Sequence, residues 1–287
     1  MKILVVGGTG TVGSEVVRQL MARGEQVHVL TRSPEHASKL PKGVKGVIGD
    51  LLDPSTLGVF NGMEAVFLLN PVSTTETFEG IIGVNGARDG GAKRIVYLSV
   101  QGLDQAPHLP HFGGKIAVEA AVMKSGMEWT ILRPNNFYQN DIWFKDVMLQ
   151  LGVYPQPLGN AGVSRVDVRD IAEVAVAAFT TSAHNRKIYN LVGPDAVTGD
   201  GTAAEWSRAL GKTIKYAGDD LDAWEAQNRP YLPSSMLYDF RHMYAFFQKD
   251  GFKATPADLA QLTSVLGHPP RSFAAYAGEM ASAWKSG

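Results

Sequence analysis

Ile3-Leu-Val-Val-Gly-Gly-Thr-Gly-Thr-Val-Gly-Ser14 carries the signal that settles the architecture of this chain. Ile3 to Val6 is short, wholly apolar and rich in β-branched residues, the composition of a strand buried on both faces of a parallel sheet. Glycines follow at positions 7, 8, 10 and 13. Val16, Val17, Leu20 and Met21 then recur at helical spacing, so a helix begins between Thr11 and Ser14. Strand, glycine turn and helix together present backbone N–H groups and a positive helix end to a pyrophosphate. Two frames fit, Gly8-x-Gly10-x-x-Gly13 and Gly7-x-x-Gly10-x-x-Gly13. A bare turn needs only one such glycine. The pattern therefore reads as a dinucleotide site with Gly7, Gly10, Thr11, Val12 and Gly13 at the phosphates.

A chain of 287 residues can bury a sizeable core. Its net charge of −1 and lack of a Lys/Arg block argue against a nucleic-acid surface. Cysteine is absent, which excludes disulfides, thiolate metal sites and a cysteine nucleophile. The first strand starts at Ile3, leaving no room for a signal peptide, and no apolar run is long enough to span a bilayer. These features lead us to expect a soluble, cytoplasmic protein.

Gln26 to Thr31 reads as the second strand, ending in Thr31-Arg32-Ser33. An NAD-selective site usually carries Asp or Glu here for the adenosine ribose. A guanidinium flanked by hydroxyls suits a 2′-phosphate instead, so NADP(H) is expected in preference to NAD(H). The third strand, Val44 to Ile48, runs into Gly49-Asp50-Leu51, and Asp53-Pro54-Ser55 opens the next helix. Asp50, with Leu51, is placed either to reach the adenine or to brace the loop. Ala65 to Leu69 is the fourth strand, stopped by Asn70-Pro71. In the helix from Glu76 to Asp89, Gly80, Gly83 and Gly86 line one face and predict a close approach. Arg94 to Ser99 is the fifth strand, with Ser99 at the end where ligands gather in doubly wound sheets. A helix from His111 to Ser125 and a sixth strand, Glu128 to Leu132, follow, and then Arg133-Pro134-Asn135-Asn136-Phe137. Leu69, Asn70, Pro71, Pro134 and Asn136 follow strands at one sheet edge and are expected around the nicotinamide.

Beyond this the alternation breaks. Asp141 to Leu151 reads as an amphipathic helix, Gly152 to Gly159 as a Pro/Gly stretch, Asp167 onward as a helix and Ile188 to Val192 as a strand. From Thr198 the chain is mainly helical. The expectation is an α/β chain with a Rossmann-type doubly wound parallel sheet over 1–195. A smaller, mainly helical substrate lobe over 196–287 follows, to which 137–163 contributes. Phe137 and Trp143 are the aromatics chosen for a small apolar or aromatic substrate. His108 and His111 stand beside Pro107 and Pro110 with no carboxylate cluster, so no metal site is expected.

Taken in order, several motifs resemble the NmrA-like family of atypical short-chain dehydrogenases/reductases. They are Gly7-Gly-Thr-Gly-x-x-Gly13, Gly49-Asp50, Lys93 to Ser99, His111-x-x-x-Lys115, Trp129 to Pro134, Val166 to Ala172, Tyr189 to Gly193 and Leu266 to Phe273. The resemblance implies an NADPH-dependent oxidoreductase passing hydride to a quinone-like or aromatic acceptor. The alternative it admits is a redox sensor that binds NADP(H) and acts through a regulatory protein partner without turnover; retention of Lys115 favours the enzyme. The superfamily's Tyr-x-x-x-Lys is missing: none of the nine tyrosines has lysine four residues later. Carried over by position, Lys115 bonds the nicotinamide ribose, Ser99 approximates the strand-end serine, and His111 stands where the tyrosine would be. For His111 a proton-donor role and a plain helix-start role remain equally open. Oligomeric state is not legible at this level.

Overall fold

The computed structural model describes residues 1–286. In chain order the elements are β1 (Lys2–Val5), α1 (Thr11–Ala22), β2 (Gln26–Thr31), α2 (Pro34–Ser38), β3 (Lys45–Ile48), β4 (Ala65–Leu68), α3 (Glu76–Asp89), β5 (Arg94–Leu98), α4 (Pro110–Lys124) and β6 (Glu128–Pro134). They continue with β7 (Val153–Tyr154), α5 (Val168–Thr180), β8 (Lys187–Leu191), α6 (Gly199–Leu210), β9 (Lys215–Tyr216), α7 (Leu221–Asn228), α8 (Ser234–Asp250), α9 (Pro256–Leu266) and α10 (Phe273–Ser286). No helix among the described residues is long and apolar enough to cross a membrane.

The chain forms two compact units. The first comprises Met1–Pro134 and Val168–Asn190, the second Asn135–Asp167 and Leu191–Gly287. The sheet runs in the order β3-β2-β1-β4-β5-β6-β8, with β1 paired in parallel to β2 and β4, and β5 to β4 and β6. This is the doubly wound α/β arrangement, with its order reversing on either side of β1. Alternation explains how both faces are covered. Leu4, Val66, Leu68, Ile95 and Ile131 pack with Val84 and Ala87 of α3 and Val118 and Val122 of α4 in one continuous cluster. Between them lie Ile3, Val5 and Phe67, equally buried and pointing to the other face. The three predicted glycines act as spacers: a Cβ would come within 2.7 Å of Val118 at Gly80, of Leu68 at Gly83 and of Phe60 at Gly86.

Two predicted helices take other forms. Pro54–Phe60 is a 3-10 turn, capped by Asp53, which accepts from the Ser55 N–H at 3.0 Å. The expected amphipathic helix over Asp141–Leu151 is instead a 3-10 segment, Tyr138–Phe144, followed by a π segment, Val147–Leu151. The cause is Asp141. It is fully buried and held by Arg165, Trp206 and Tyr154 of the same unit, and Trp143 and Leu151 are left more than 70% exposed.

The second unit has its own core. Arg165 is completely buried, its guanidinium on Asp141 at 2.6 and 3.1 Å, on the Phe137 carbonyl at 2.7 Å and on the Asn136 amide oxygen at 3.1 Å. Burial pulls its pKa down, but Asp141 and Tyr154 outweigh that and hold it above the usual arginine range. Tyr154 is driven well above the usual phenol value by burial and then by Asp141. The Tyr244 phenol, which accepts from Gln156 at 3.1 Å, is pushed up to about 12 by burial.

Candidate cofactor site

The site is built in the first unit, at the carboxyl ends of β1, β4 and β5. Val5 ends β1 and the chain turns at Gly7, whose φ of 77° is open chiefly to glycine. The Gly10 N–H closes the turn on the Gly7 carbonyl at 3.0 Å. The four glycines play different parts. A Cβ at Gly13 would sit 2.1 Å from the Gly7 carbonyl oxygen, and one at Gly8 would strike Val29 at 2.9 Å. One at Gly7 would lie 2.8 Å from the Leu69 carbonyl oxygen. Gly10 meets nothing closer than 3.4 Å and is exposed. Three glycines thus fit chain against chain, while Gly10 leaves a bare approach. Gly10 is also the N-cap of α1, with no side-chain cap and no acid in the first turn. Unsatisfied N–H groups at an open helix start suit a phosphate.

At the end of β2, Thr31 is buried and Arg32 exposed. Among the described residues no carboxylate pairs with Arg32, so its guanidinium is available to an anion. Ser33 is committed locally, capping α2 by accepting from the His36 N–H at 3.2 Å. Asp50 accepts from the Leu52 N–H at 2.9 Å, so one carboxylate oxygen braces the loop in which Leu51 is buried.

Asn70 is the most telling residue. It lies just beyond β4, next to the Leu69 that Gly7 abuts, and is only 4% exposed. Neither polar atom of its amide has a hydrogen-bond partner. Buried amides are rarely left so, because desolvation costs about 1–3 kcal/mol for a group without compensation. Such an amide fits a ligand that supplies both a donor and an acceptor, as a carboxamide or ribose does. Pro71 follows it, exposed.

Charged groups cluster on the next elements. Lys115, on the second turn of α4, is buried and ion-paired with Glu76 at the start of α3. One turn further along α4, buried Glu119 accepts from the Ser99 hydroxyl and binds Arg133 in a two-pronged pair at 2.9 and 2.6 Å. Arg133 also reaches exposed Asp104 at 2.9 Å. Burial lowers the Arg133 pKa, but Glu119 overcomes this and leaves it raised. Tyr97 on β5 is driven well above the usual phenol range by burial, then by Glu76 and Glu119. His111 lies half-buried one turn before Lys115, edge-on to Phe112 at 4.6 Å.

The first unit therefore gathers the glycine turn, Thr31, Arg32, Ser33, Asp50, Leu51, Leu69, Asn70, Pro71, Ser99, His111, Lys115 and Pro134. Asn136, Phe137 and Trp143 belong to the second unit. There Asn136 and the Phe137 carbonyl serve Arg165, and Trp143 is 73% exposed. Of the unit's other aromatics, Tyr138, Tyr154, Trp224, Tyr244, Phe246 and Phe247 are buried in its core, while Tyr231 and Tyr238 are exposed. Sequence reading missed Glu76 and Glu119. An acid at a helix start looks like a dipole partner, and only the i,i+4 spacing of Lys115 and Glu119 hinted at more.

Residues 1–274 match the NmrA-like family. The chain is 34% identical over 287 residues to the NAD(P)H azoreductase of Xenophilus azovorans, covering 98% of this chain and 99% of that one. The structure is similar to that of the NADPH-dependent quinone oxidoreductase of Escherichia coli complexed with NADPH, with a TM-score of 0.85 and 24% identity, over 97% and 99% of the two chains. It is also similar to a negative transcriptional regulator in complex with NADP, with a TM-score of 0.78 and 17% identity, over 99% and 97%.

Proposed function

This chain belongs to the NmrA-like family, and from that membership we propose that it is an NADPH-dependent reductase of a small aromatic acceptor, an azo compound or a quinone. The observation that carries the reading is Asn70, a buried amide with both polar atoms unpartnered at the strand edge that the glycine turn abuts. The α1 N–H groups would hold the pyrophosphate, and Arg32 with Thr31 the 2′-phosphate. Asn70 would hold the carboxamide or ribose, and Lys115 the ribose hydroxyls. Bound NADPH supplies the hydride.

The chain's own residues supply position and charge. Lys115, held in place by its ion pair with Glu76, would fix the ribose and so the position of the nicotinamide toward the acceptor. His111, one turn away, or water passes the accompanying proton to that acceptor. The Ser99 hydroxyl donates to Glu119, which leaves its oxygen to accept from a ligand. That same contact, with the missing Tyr-x-x-x-Lys, favours a second reading: a redox sensor that binds NADP(H) and signals to a protein partner without turnover.

The two part on one assay. Protein and NADPH are mixed with a panel of azo dyes, quinones and aromatic aldehydes, and loss of NADPH absorbance is followed. Turnover that falls about a hundredfold in Lys115→Ala supports the reductase. Tight NADPH binding with no turnover on any acceptor supports the sensor.

A further inference from the structure

The salt bridge between Lys115 and Glu76 joins two elements that approach with almost no clearance. Glu76 is the first residue of α3, and Thr77 follows it. Gly114 precedes Lys115, and a Cβ there would lie 2.4 Å from the Thr77 hydroxyl. The Thr77 hydroxyl thus fills the space that a side chain at 114 would take. Both side chains are 6–7% exposed. A buried carboxylate and ammonium in contact form a unit of zero net charge. Glu119 and Arg133, one turn along, form a second.

We propose that Glu76 is a positioning residue that neutralises Lys115 and so sets the preference of the site between the oxidised and reduced cofactor. This rests on the reading that Lys115 meets the nicotinamide ribose. The oxidised nicotinamide ring carries one positive charge and the reduced ring none. An ammonium standing alone beside it would repel the oxidised form, while a Lys–Glu unit treats both forms nearly alike. Removing the carboxylate leaves a positive charge and selects against NADP⁺. Removing the ammonium leaves a negative charge and selects for it. Removing both returns the site to zero.

The test is the ratio of the dissociation constants for NADP⁺ and NADPH, measured by fluorescence or calorimetry. In Glu76→Gln the ratio rises on the order of tenfold, the size of one unit charge acting at several ångströms in a partly solvated site. In Lys115→Met it falls by a similar factor, and this variant carries the test alone if Glu76→Gln does not fold. The double variant returns to within about twofold of the unaltered protein. Glu76→Asp, which keeps the charge, leaves the ratio unmoved. A merely structural role for Glu76 would weaken both forms equally. Ratios that stay flat in both single variants, or a double variant that stays displaced, overturn the inference. The result is independent of turnover: a sensor with no reductase activity still shows the shifts, and a reductase with flat ratios refutes this inference alone.

Discussion

Each of the two units buries an arginine- or lysine-centred charge cluster, and the clusters differ in how completely they are satisfied. In the second unit Arg165 contacts Asp141, Asn136, Tyr154 and the Phe137 carbonyl, and Asp141 also accepts from the Trp206 indole at 2.8 Å. In the first unit the Lys115–Glu76 and Arg133–Glu119 pairs share a strand edge with Asn70, whose amide bonds nothing. A closed network holds a fold. An open one leaves polar groups for something else to complete.

The largest effect should come from opening the closed network. Asp141→Ala strands a fully buried guanidinium and is expected to cost about 3–5 kcal/mol in urea unfolding. Replacing the pair together, with Arg165→Met and Asp141→Leu, should recover most of that loss. An Asp141→Ala protein as stable as the parent would show that the cluster is not structural.

The glycine turn holds the same contrast within the first unit. Gly13→Ala forces a Cβ to 2.1 Å from the Gly7 carbonyl oxygen and should destabilise the protein by about 1–3 kcal/mol or more, with a matching fall in Tm. Gly10→Ala has room and should leave Tm unchanged while NADPH binding weakens about tenfold or more. If both variants lost Tm equally, Gly10 would be another packing glycine.

Arg32→Ala should reduce NADPH affinity roughly tenfold, the value of one charge-assisted hydrogen bond, and barely alter NADH affinity. Equal losses would remove the 2′-phosphate assignment, and no loss would make Arg32 a solvated loop residue.

The smallest effect is on pH. Burial depresses the pKa of His28, and burial then Arg94 depresses that of His184, both from an ordinary 6.5. Both rings are thus held neutral in the fold but take a proton readily when unfolded. Their contribution is full above pH 6.5 and is lost as pH falls toward their folded values. Unfolding free energy should therefore decline as pH falls below about 6.5, and His28→Val should flatten part of that slope.

Most of the fold was legible because its signals are local. Apolar runs such as Ala65 to Leu68 and the glycine turn give strand and helix without reference to anything distant. The segment Asp141–Leu151 resists such reading. Its apolar residues do recur at helical spacing, while the buried Asp141 that breaks the helix depends on Arg165, 24 residues away. The site was legible to a similar limit. Gly10, Arg32 and Asn70 stand out by their place at strand ends, and Lys115 by the resemblance to the NmrA-like family. Glu76 does not, because its pairing with Lys115 joins residues 39 apart on two different helices. Ser33 and Asp50 show the converse: each sits where a ligand contact was expected and also caps or braces its own loop.

Whether the open cluster at the strand edge serves hydride transfer is decided most directly by a single turnover without oxygen. Protein loaded with one equivalent of NADPH is mixed rapidly with an excess of an azo dye or a quinone. NADPH absorbance should disappear in one exponential phase of one equivalent per chain, slowed about a hundredfold in Lys115→Ala. NADPH that stays bound and unoxidised against every acceptor would refute hydride transfer at this site.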